Sequence, residues 1–371
     1  MKRDATKRLV RIFTPSFADE GDTNAQNLTV KELVARWPAD LFHITMICQG
    51  TPDPRIASRP NVRLVRWTNR GNAVRLLRHC LFPRPDIYFF PRYGPLDRAF
   101  FELRRHFHSR TALVSYVVSM VTERTSTGLA ARAVLEADAV YANSEFVART
   151  VREKFGIEAP VIHDGIDRRF YFPRAIKRES GPLAVLYAGS FRPYKRAELV
   201  VEQAVRWPDV EFRLAGTGEM EQSCRQLTLE YGCRNVRFLG HLSSAQLGEE
   251  MRKADVFLFP SVLEGHPQVL LQAAACGLPA VAMKLYQPDS VVDGRTGFLA
   301  DSDEEIPQRL DWLLTNHELR HRMSDAAVHL ARRFDWDSIA AKWAEVFCHI
   351  AAARGKLCGE QSDASRDAHA H

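Results

Sequence analysis

The polar residues best placed for ligand chemistry lie in the segment FPSVLEGHPQVLLQAAACGLPAVAM, residues 259–283. Its apolar start predicts a buried strand, and the loop after that strand carries Glu264 and Gly265. Pro267 is suited to the start of a helix, which Gly277 is suited to cap. Because the first turn of a helix offers free amides and the positive end of its dipole, this loop is predicted to bind an anion.

Two further polar loops follow predicted strands. The turn GTGEM begins at Gly216 and lacks the third glycine of the GxGxxG dinucleotide fingerprint, so no NAD site is predicted there. It is instead predicted to form a tight turn close to the ligand crevice. Near the start of the chain, the loop DEGDTN, residues 19–24, leaves the first predicted strand and enters a helix.

The elements that must position these loops alternate along the chain. Short apolar runs alternate with amphipathic stretches, which predicts an α/β fold with two similar parallel-sheet units. Strands are predicted at residues 9–13, 43–48, 86–90, 112–118 and 139–142, then at 184–188, 210–215, 236–239, 256–259 and 280–283. In open α/β sheets, ligands bind at the carboxyl ends of the strands, where these polar loops are expected to converge.

The composition narrows the class of protein. With 371 residues, 46% of them hydrophobic and 26% charged, the chain is long enough for two globular domains. No run approaches about 18 uncharged apolar residues, so no spanning helix is predicted. Seven irregularly spaced cysteines and a basic start without a secretory signal predict reduced thiols and a cytoplasmic location.

The net charge of +6 is unevenly distributed. Residues 1–180 contain 30 Lys and Arg against 19 Asp and Glu, and the remaining residues contain 21 against 26. A basic half suits nucleic acid, anionic lipid or an acidic small molecule. Because the arginines form no nucleic-acid-reading motif, no nucleic-acid partner is predicted.

A series of motifs in the second half points to one family. They are Tyr187-Ala188-Gly189 with Lys195, residues 214–218 and 236–240, Ala254-Asp255, Pro260-Ser261, Glu264-Gly265, and residues 277–279 and 293–299. In order and spacing these motifs resemble the retaining glycosyltransferases of the GT-B group, family four. The resemblance covers nearly all of the second half and is looser in the first, where it rests on Asn143-Ser144 and residues 164–167.

The resemblance implies two Rossmann-like domains that face each other across a cleft, with a C-terminal helix that crosses back to the N-terminal domain. The expected boundaries are residues 1–178 for the acceptor domain and 179–334 for the nucleotide-sugar donor domain. Residues 335–355 are expected to form the returning helix, and residues 356–371 a disordered tail.

The resemblance also implies three catalytic residues and a ribose contact. Glu264 stands where the family's first glutamate contacts the hydroxyls of the donor sugar. Gln272 replaces the second glutamate, which binds the ribose; an amide can still bond to hydroxyls but gives up charge-assisted bonds. Lys195 matches the lysine that pairs with the diphosphate as its charge develops. Ser190 stands where the family usually has an arginine, and Arg192 is predicted to reach the phosphates instead.

The remaining residues predicted to bind the donor lie in loops: Gly21, Asn24, Gly189, Gly216, Gly240, Gly265, His266, Pro267, Gln268 and Val269. For Gly21 and Asn24 the alternative is a plain turn with a helix cap. The ring of His266 either faces the acceptor or fills the loop. Many relatives carry a histidine near the anomeric carbon that this chain lacks, and Ser119 or Glu123 is considered in its place.

The predicted function is retaining, metal-independent transfer from a nucleotide diphosphate sugar, with UDP favoured, to a hydroxyl of a carbohydrate or lipid-linked acceptor. No metal or cofactor is predicted. A non-catalytic nucleotide-sugar-binding subunit and a sugar-nucleotide epimerase on the same fold are the alternatives. The helix predicted over Arg98 to Arg110 either contacts the inner face of a membrane peripherally or packs on its own sheet.

Overall fold

The computed structural model describes residues 9–21, 24–67, 78, 82, 84–107, 110–174 and 181–355. These residues form two units, each built on a six-stranded sheet in which all paired strands are parallel. The predicted α/β fold class is confirmed.

The first unit contains β1 (Val10–Phe17), β2 (Phe42–Cys48), β3 (Val62–Arg66), β4 (Ile87–Phe89), β5 (Ala112–Val117) and β6 (Ala139–Ala142). Their order in the sheet is β3-β2-β1-β4-β5-β6. The described helices of this unit are α1 (Ala25–Arg36), α2 (Pro54–Ala57), α3 (Pro95–Phe107), α4 (Gly128–Leu135) and α5 (Glu145–Phe155). Strands β4 and β5 are buried along their whole length, because helices cover both faces of a parallel sheet.

The second unit contains β7 (Ala184–Ala188), β8 (Glu211–Ala215), β9 (Val236–Gly240), β10 (Val256–Phe259), β11 (Ala280–Met283) and β12 (Gly297–Ala300), in the order β12-β11-β10-β7-β8-β9. Its helices are α6 (Ala197–Arg206), α7 (Glu221–Glu230), α8 (Ser244–Lys253), α9 (Gln268–Ala275), α10 (Ile306–Thr315) and α11 (His317–Ala331). In each sheet the first strand lies beside the fourth, so the strand order reverses there. Sheets of this kind bind ligands at the carboxyl ends beside that reversal.

The last helix, α12 (Trp336–Ala353), returns to the first unit, as predicted. Asp335 caps its start by accepting a hydrogen bond from the amide of Ser338. Trp343 and Phe347 pack edge-on against Phe89, with ring centroids 4.8 and 5.0 Å apart. Because a buried aromatic side chain contributes about 1.5–3 kcal/mol, these contacts anchor the end of the chain to the first core.

The sequence reading missed two edge strands, β3 and β12. The arginines of β3, VRLVR, interrupt its apolar run, and Val65 is the one fully buried residue of that strand. Strand β12, GFLA, is buried but begins with a glycine, a residue that is depleted in strands.

Helix α3 contains most of the segment from Arg98 to Arg110. Phe100 and Phe101 are buried, and the ring of Phe100 stacks on Tyr88 with centroids 4.0 Å apart. These contacts favour the alternative in which the helix packs on its own sheet. Among the described residues, no helix is both long and apolar enough to cross a membrane.

Two predictions fall outside the described residues, namely the boundary between residues 178 and 179 and the disordered tail over residues 356–371. The prediction of seven reduced thiols was wrong at Cys348, which is disulfide-bonded. Irregular spacing along the chain does not report which cysteines approach in space. The free cysteines among the described residues are Cys48, Cys224, Cys233 and Cys276.

Candidate functional site

A cleft of about 750 Å³ lies between the two units, at the carboxyl ends of both sheets. The loops after β7 and β10 and the start of α9 line one wall, and the start of α1 and the loop after β5 line the other. Ten of the predicted site residues line this cleft: Gly189, Arg192, Lys195, Glu264, Gly265, His266, Pro267, Gln268, Val269 and Gln272.

Lys195 and Glu264 form an ion pair inside the cleft, with Nζ 2.5 Å from Oε1. Their side chains are 15% and 12% exposed, so the attraction is screened less than in a surface pair. Ser261 donates its hydroxyl to the same Oε1. The Nζ of Lys195 also lies 5.1 Å from the centre of the Phe259 ring. The lysine is therefore fixed in place before any ligand arrives.

The start of α9 opens toward the cleft. Pro267 precedes the first helical residue with φ −68°, and among the described residues no side chain caps this first turn. Its free amides are therefore available to an anion. One turn further, Oε1 of Gln272 is buried and has no hydrogen-bond partner within the described chain. Because such an orphaned acceptor costs about 1–3 kcal/mol, Gln272 is suited to accept from a ligand hydroxyl.

The two walls of the cleft approach each other closely at Gly265. A Cβ at this position would lie 2.3 Å from the carbonyl oxygen of Val118 and 2.7 Å from Cα of Ser119. The hydroxyl of Ser144 donates to the carbonyl of Gly265 at 3.1 Å. The two units thus meet backbone to backbone, which requires a residue without a side chain.

Gly216 packs against the backbone of Gly189, a residue of the cleft wall. A Cβ on it would lie 1.9 Å from the carbonyl oxygen of Gly189, and its φ of +132° favours glycine. Its amide donates to the carbonyl of Gly240 at 2.7 Å. The tight turn is confirmed, and neither Gly216 nor Gly240 lines the cleft.

Gly21 and Asn24 also lie outside the cleft lining. Asn24 caps α1, since its Oδ1 accepts from the amides of Gln26 and Asn27 at 3.1 and 3.3 Å. Gly21 has φ +72°, and a Cβ on it would touch nothing within 4 Å. This geometry favours a capped turn, and ligand contact by Gly21 and Asn24 stays a prediction.

The opposite wall carries a buried carboxyl group to which sequence reasoning assigned no role. Asp164 accepts hydrogen bonds from Thr29 Oγ1 at 3.0 Å, Asn143 Nδ2 at 3.1 Å and the Tyr116 hydroxyl at 3.3 Å. Burial raises the pKa of Asp164, while these hydrogen bonds oppose the rise. Asp164 lines the cleft together with Thr29 and Asn143.

A side chain also bridges the cleft. Gln268 Nε2, at the start of α9, donates to Thr29 Oγ1 on α1 at 3.4 Å. The hydrogen-bonded chain therefore runs from the second unit through Thr29 to Asp164. The position of Asn143 directly after β6 was a usable signal for this wall, because polar residues at strand ends gather at one edge.

Of the two residues considered in place of the missing histidine, Ser119 and Glu123, only Ser119 lies at the cleft. Ser119 lines the cleft, whereas Glu123 is exposed and forms an ion pair with Lys154. Arg192 lies at the cleft with an exposed side chain, and Ser190 lies beside it. Arg192 is therefore free of the tight packing that fixes Lys195.

His266 fills the loop, which is one of the two alternatives from the sequence. Its side chain is 1% exposed, and its ring stacks on that of His163 with centroids 5.4 Å apart. Burial and the neighbouring His163 lower the pKa of His266 to about 3. The imidazole is therefore neutral at pH 7.

The chain is similar in sequence to a known family and to curated proteins. Residues 170–329 match the family described as Glycosyl transferases group 1. A D-inositol 3-phosphate glycosyltransferase from Streptomyces bingchenggensis is 25% identical, over 88% of this chain and 85% of the relative. The chain spans about half the length of the other curated relatives it matches, between 44% and 58%.

Two solved structures share the fold. A sucrose-phosphate synthase from Thermosynechococcus elongatus has a TM-score of 0.75 at 18% identity, over 93% of this chain and 100% of that one. HepE from Anabaena, solved in complex with UDP-glucose, has a TM-score of 0.73 at 18% identity, over 91% and 98%. The prediction of two Rossmann-like units facing across a cleft is confirmed.

Proposed function

Because residues 170–329 match the family described as Glycosyl transferases group 1, we propose that the chain transfers a sugar from a UDP-linked donor to a hydroxyl acceptor, with retention of the anomeric configuration. The observation that carries this proposal is the shielded Lys195–Glu264 pair beside the open start of α9. A cation, a carboxylate and free helix amides together match a ligand with a diphosphate and a sugar.

Lys195 stabilises the leaving group. As the bond between the anomeric carbon and the diphosphate oxygen breaks, negative charge grows on the phosphate. A fixed ammonium in a shielded cleft stabilises that charge more than it stabilises the bound donor, and only this difference accelerates the reaction. Arg192 and the amides of α9 supply further positive charge, so the proposal requires no metal or cofactor.

Glu264 orients the sugar. Its bonds from Lys195 and Ser261 both end on Oε1, which leaves Oε2 to accept from a sugar hydroxyl. Gln272, with its buried unpartnered oxygen in the described chain, is suited to the ribose. The donor is thus held at its sugar, its diphosphate and its nucleoside.

The acceptor hydroxyl reacts on the face from which the diphosphate leaves. A bond forms between its oxygen and the anomeric carbon, the bond to the diphosphate breaks, and the proton passes to a phosphate oxygen. This sequence needs no side-chain base, which agrees with the lack of a histidine in the loop after β5. Ser119 is suited to position the acceptor.

Relatives support the choice of substrates. HepE was solved with UDP-glucose, and the Streptomyces relative carries the name of an inositol phosphate glycosyltransferase. A carbohydrate or lipid-linked acceptor is the corresponding proposal for this chain. Any contact with a lipid surface would use the exposed guanidinium of Arg98, since Phe100 and Phe101 are buried.

A thermal-shift screen over UDP, GDP, ADP and their sugars tests donor binding, because a ligand that binds the folded state raises its stability. Transfer or donor hydrolysis by the purified protein then tests catalysis. Tight donor binding without turnover would favour the non-catalytic alternative, which Ser190 and Gln272 motivate. Isomerisation of the donor without any acceptor would favour an epimerase.

A further inference from the structure

Three side chains that can bind a metal ion meet at the contact between the two units, and one of them, His266, also lines the cleft. Asp289 Oδ2 lies 3.7 Å from Nδ1 of His163 and 3.8 Å from Nδ1 of His266. One ligand atom from each residue lies within 4.8 Å of the other two. His163 belongs to the segment after β6, whereas His266 and Asp289 follow β10 and β11.

His266 is the anomaly in this group. Its side chain is almost fully buried, yet within the described chain neither ring nitrogen has a hydrogen-bond partner. Buried polar groups in native proteins nearly always have a partner, and an exception calls for a water, an ion or a functional role.

We propose that His163, His266 and Asp289 bind one divalent transition-metal ion, with Zn²⁺ the best chemical match, and that this ion fastens the two units together. Two imidazoles and one carboxylate are a common ligand set for zinc. Calcium and magnesium prefer sites made of oxygen alone.

The observed distances are close to what such an ion requires. Tetrahedral zinc with ligands at about 2.0–2.1 Å places neighbouring ligand atoms roughly 3.3 Å apart. The two nitrogen-to-oxygen distances exceed this value by about half an ångström, and all three ligand atoms lie within 4.8 Å of one another. The two imidazoles and the carboxylate would have to move closer together to bind one ion.

The fourth ligand and the proton are also accounted for. His163 Nδ1 lies 3.0 Å from the carbonyl oxygen of Asn143 and donates its proton there. Binding through Nδ1 moves the ring to its other neutral tautomer, with the proton on Nε2. The Asn143 carbonyl, released from that hydrogen bond, or a water would then supply the fourth ligand.

The ion would act on the position of the walls rather than on the transferred sugar. His266 lies between Gly265, which packs closely against the first unit, and Pro267, which directly precedes α9. An ion shared with His163 would hold this loop against the first unit. The inference does not rest on the proposed transfer, because its readouts are metal binding and unfolding.

The experiment uses the full chain, stripped with a chelator and titrated with Zn²⁺ or Co²⁺ alone. We expect one ion per chain by calorimetry and, with Co²⁺, the strong visible absorption of a four-coordinate site. At about 100-fold excess over Kd, Zn²⁺ should raise Tm by roughly 3–4 °C. Asp289→Asn and His163→Gln should each weaken binding by more than about 100-fold, beyond the loss typical of outer-shell changes.

A surface histidine pair provides the matched control. His317 and His321 lie one turn apart on α11, with ring centroids 4.0 Å apart, and are a second possible chelate. His317→Gln combined with His321→Gln should leave the Tm shift unchanged. Binding that survives Asp289→Asn but is lost in this double variant would overturn the proposal, as would a metal-free chain that binds no ion. His163→Gln, at a half-buried position, keeps the test decisive if Asp289→Asn does not fold.

Discussion

Two carboxyl groups face the same cleft from opposite walls and are held in opposite ways. Glu264, on the second unit, accepts from the ammonium of Lys195 at 2.5 Å. Asp164, on the first unit, accepts its described hydrogen bonds from the neutral groups of Thr29, Asn143 and Tyr116. Burial raises the pKa of Asp164, whereas Glu264 has a cation beside it.

The difference indicates a division of labour between the walls. A cation next to a carboxylate is prepared for a ligand whose charge changes, because the lysine can share its positive charge between Glu264 and a phosphate. A carboxyl group among neutral donors is suited to hold hydroxyl groups and the shape of the wall. The second unit thus carries the electrostatic part of the site, and the first unit the positioning part.

Replacing Lys195 by alanine should have the largest effect on activity, because it removes the cation of the second wall. We expect a loss of at least ~10²-fold in kcat, because one contact to developing charge is worth about that much. The measurement is the transfer rate at saturating donor, with thermal unfolding as a check on folding. Full turnover would remove Lys195 from the reaction.

Arg192→Ala is the matched control for that experiment. Its exposed guanidinium is screened by water, so we expect a loss below about tenfold. Equal losses in the two variants would mean that burial of the Lys195–Glu264 pair does not matter.

Much of the fold and of the second wall was predictable from the sequence. Strands β6, β7, β10 and β11 have the predicted bounds, because buried parallel strands appear as continuous apolar runs. The residues from Glu264 to Gln272 are contiguous, so a short motif contains both the loop and the helix start. The ion pair with Lys195 follows from the adjacency of β7 and β10 in a doubly wound sheet.

Gly265→Ala should disturb the contact between the walls. Its Cβ would meet the Val118 carbonyl at 2.3 Å, so the units must separate slightly. We expect the free energy of unfolding to fall by about 1–3 kcal/mol, as for other overpacked sites, and kcat/KM to fall with it. Urea unfolding and transfer rates measure the two effects.

Gly94→Ala is the control for that substitution. A Cβ there would lie 3.7 Å from Asp97 Oδ2, which is ordinary contact, so we expect a change within about 0.5 kcal/mol. If both glycine variants behaved alike, the cleft would tolerate a wider spacing of its walls than the structure implies.

Thr29→Val should weaken the positioning wall. The substitution keeps the shape but removes a donor to Asp164 and an acceptor for Gln268. Because a buried polar group loses its partner, we expect a loss of roughly 1–2 kcal/mol in the free energy of unfolding, measured in urea. Thr29→Ser retains the hydroxyl and should recover most of that loss. An equal loss in both variants would assign the effect to packing.

The first wall was hard to predict because its residues lie far apart in the sequence. Thr29 and Asp164 are 135 residues apart, and their hydrogen bond exists because β1, β4, β5 and β6 lie side by side. No local pattern encodes that adjacency. The pairing of His163 with His266 is of the same kind, since it depends on how the two units meet.

Gln272→Glu gives the second wall another carboxylate and should have the smallest effect of these substitutions, a modest rise in affinity for UDP. Hydrogen bonds to a charged group exceed neutral ones by about 1 kcal/mol, so UDP affinity should rise roughly fivefold if Gln272 contacts the ribose. The free protein should gain no stability, because a buried carboxylate pays for its desolvation until a ligand donates to it. Calorimetric titration with UDP measures the affinity. Gln268→Glu, at a cleft residue bonded to Thr29, should give no such gain. An unchanged or weaker affinity in Gln272→Glu would place the ribose elsewhere in the cleft.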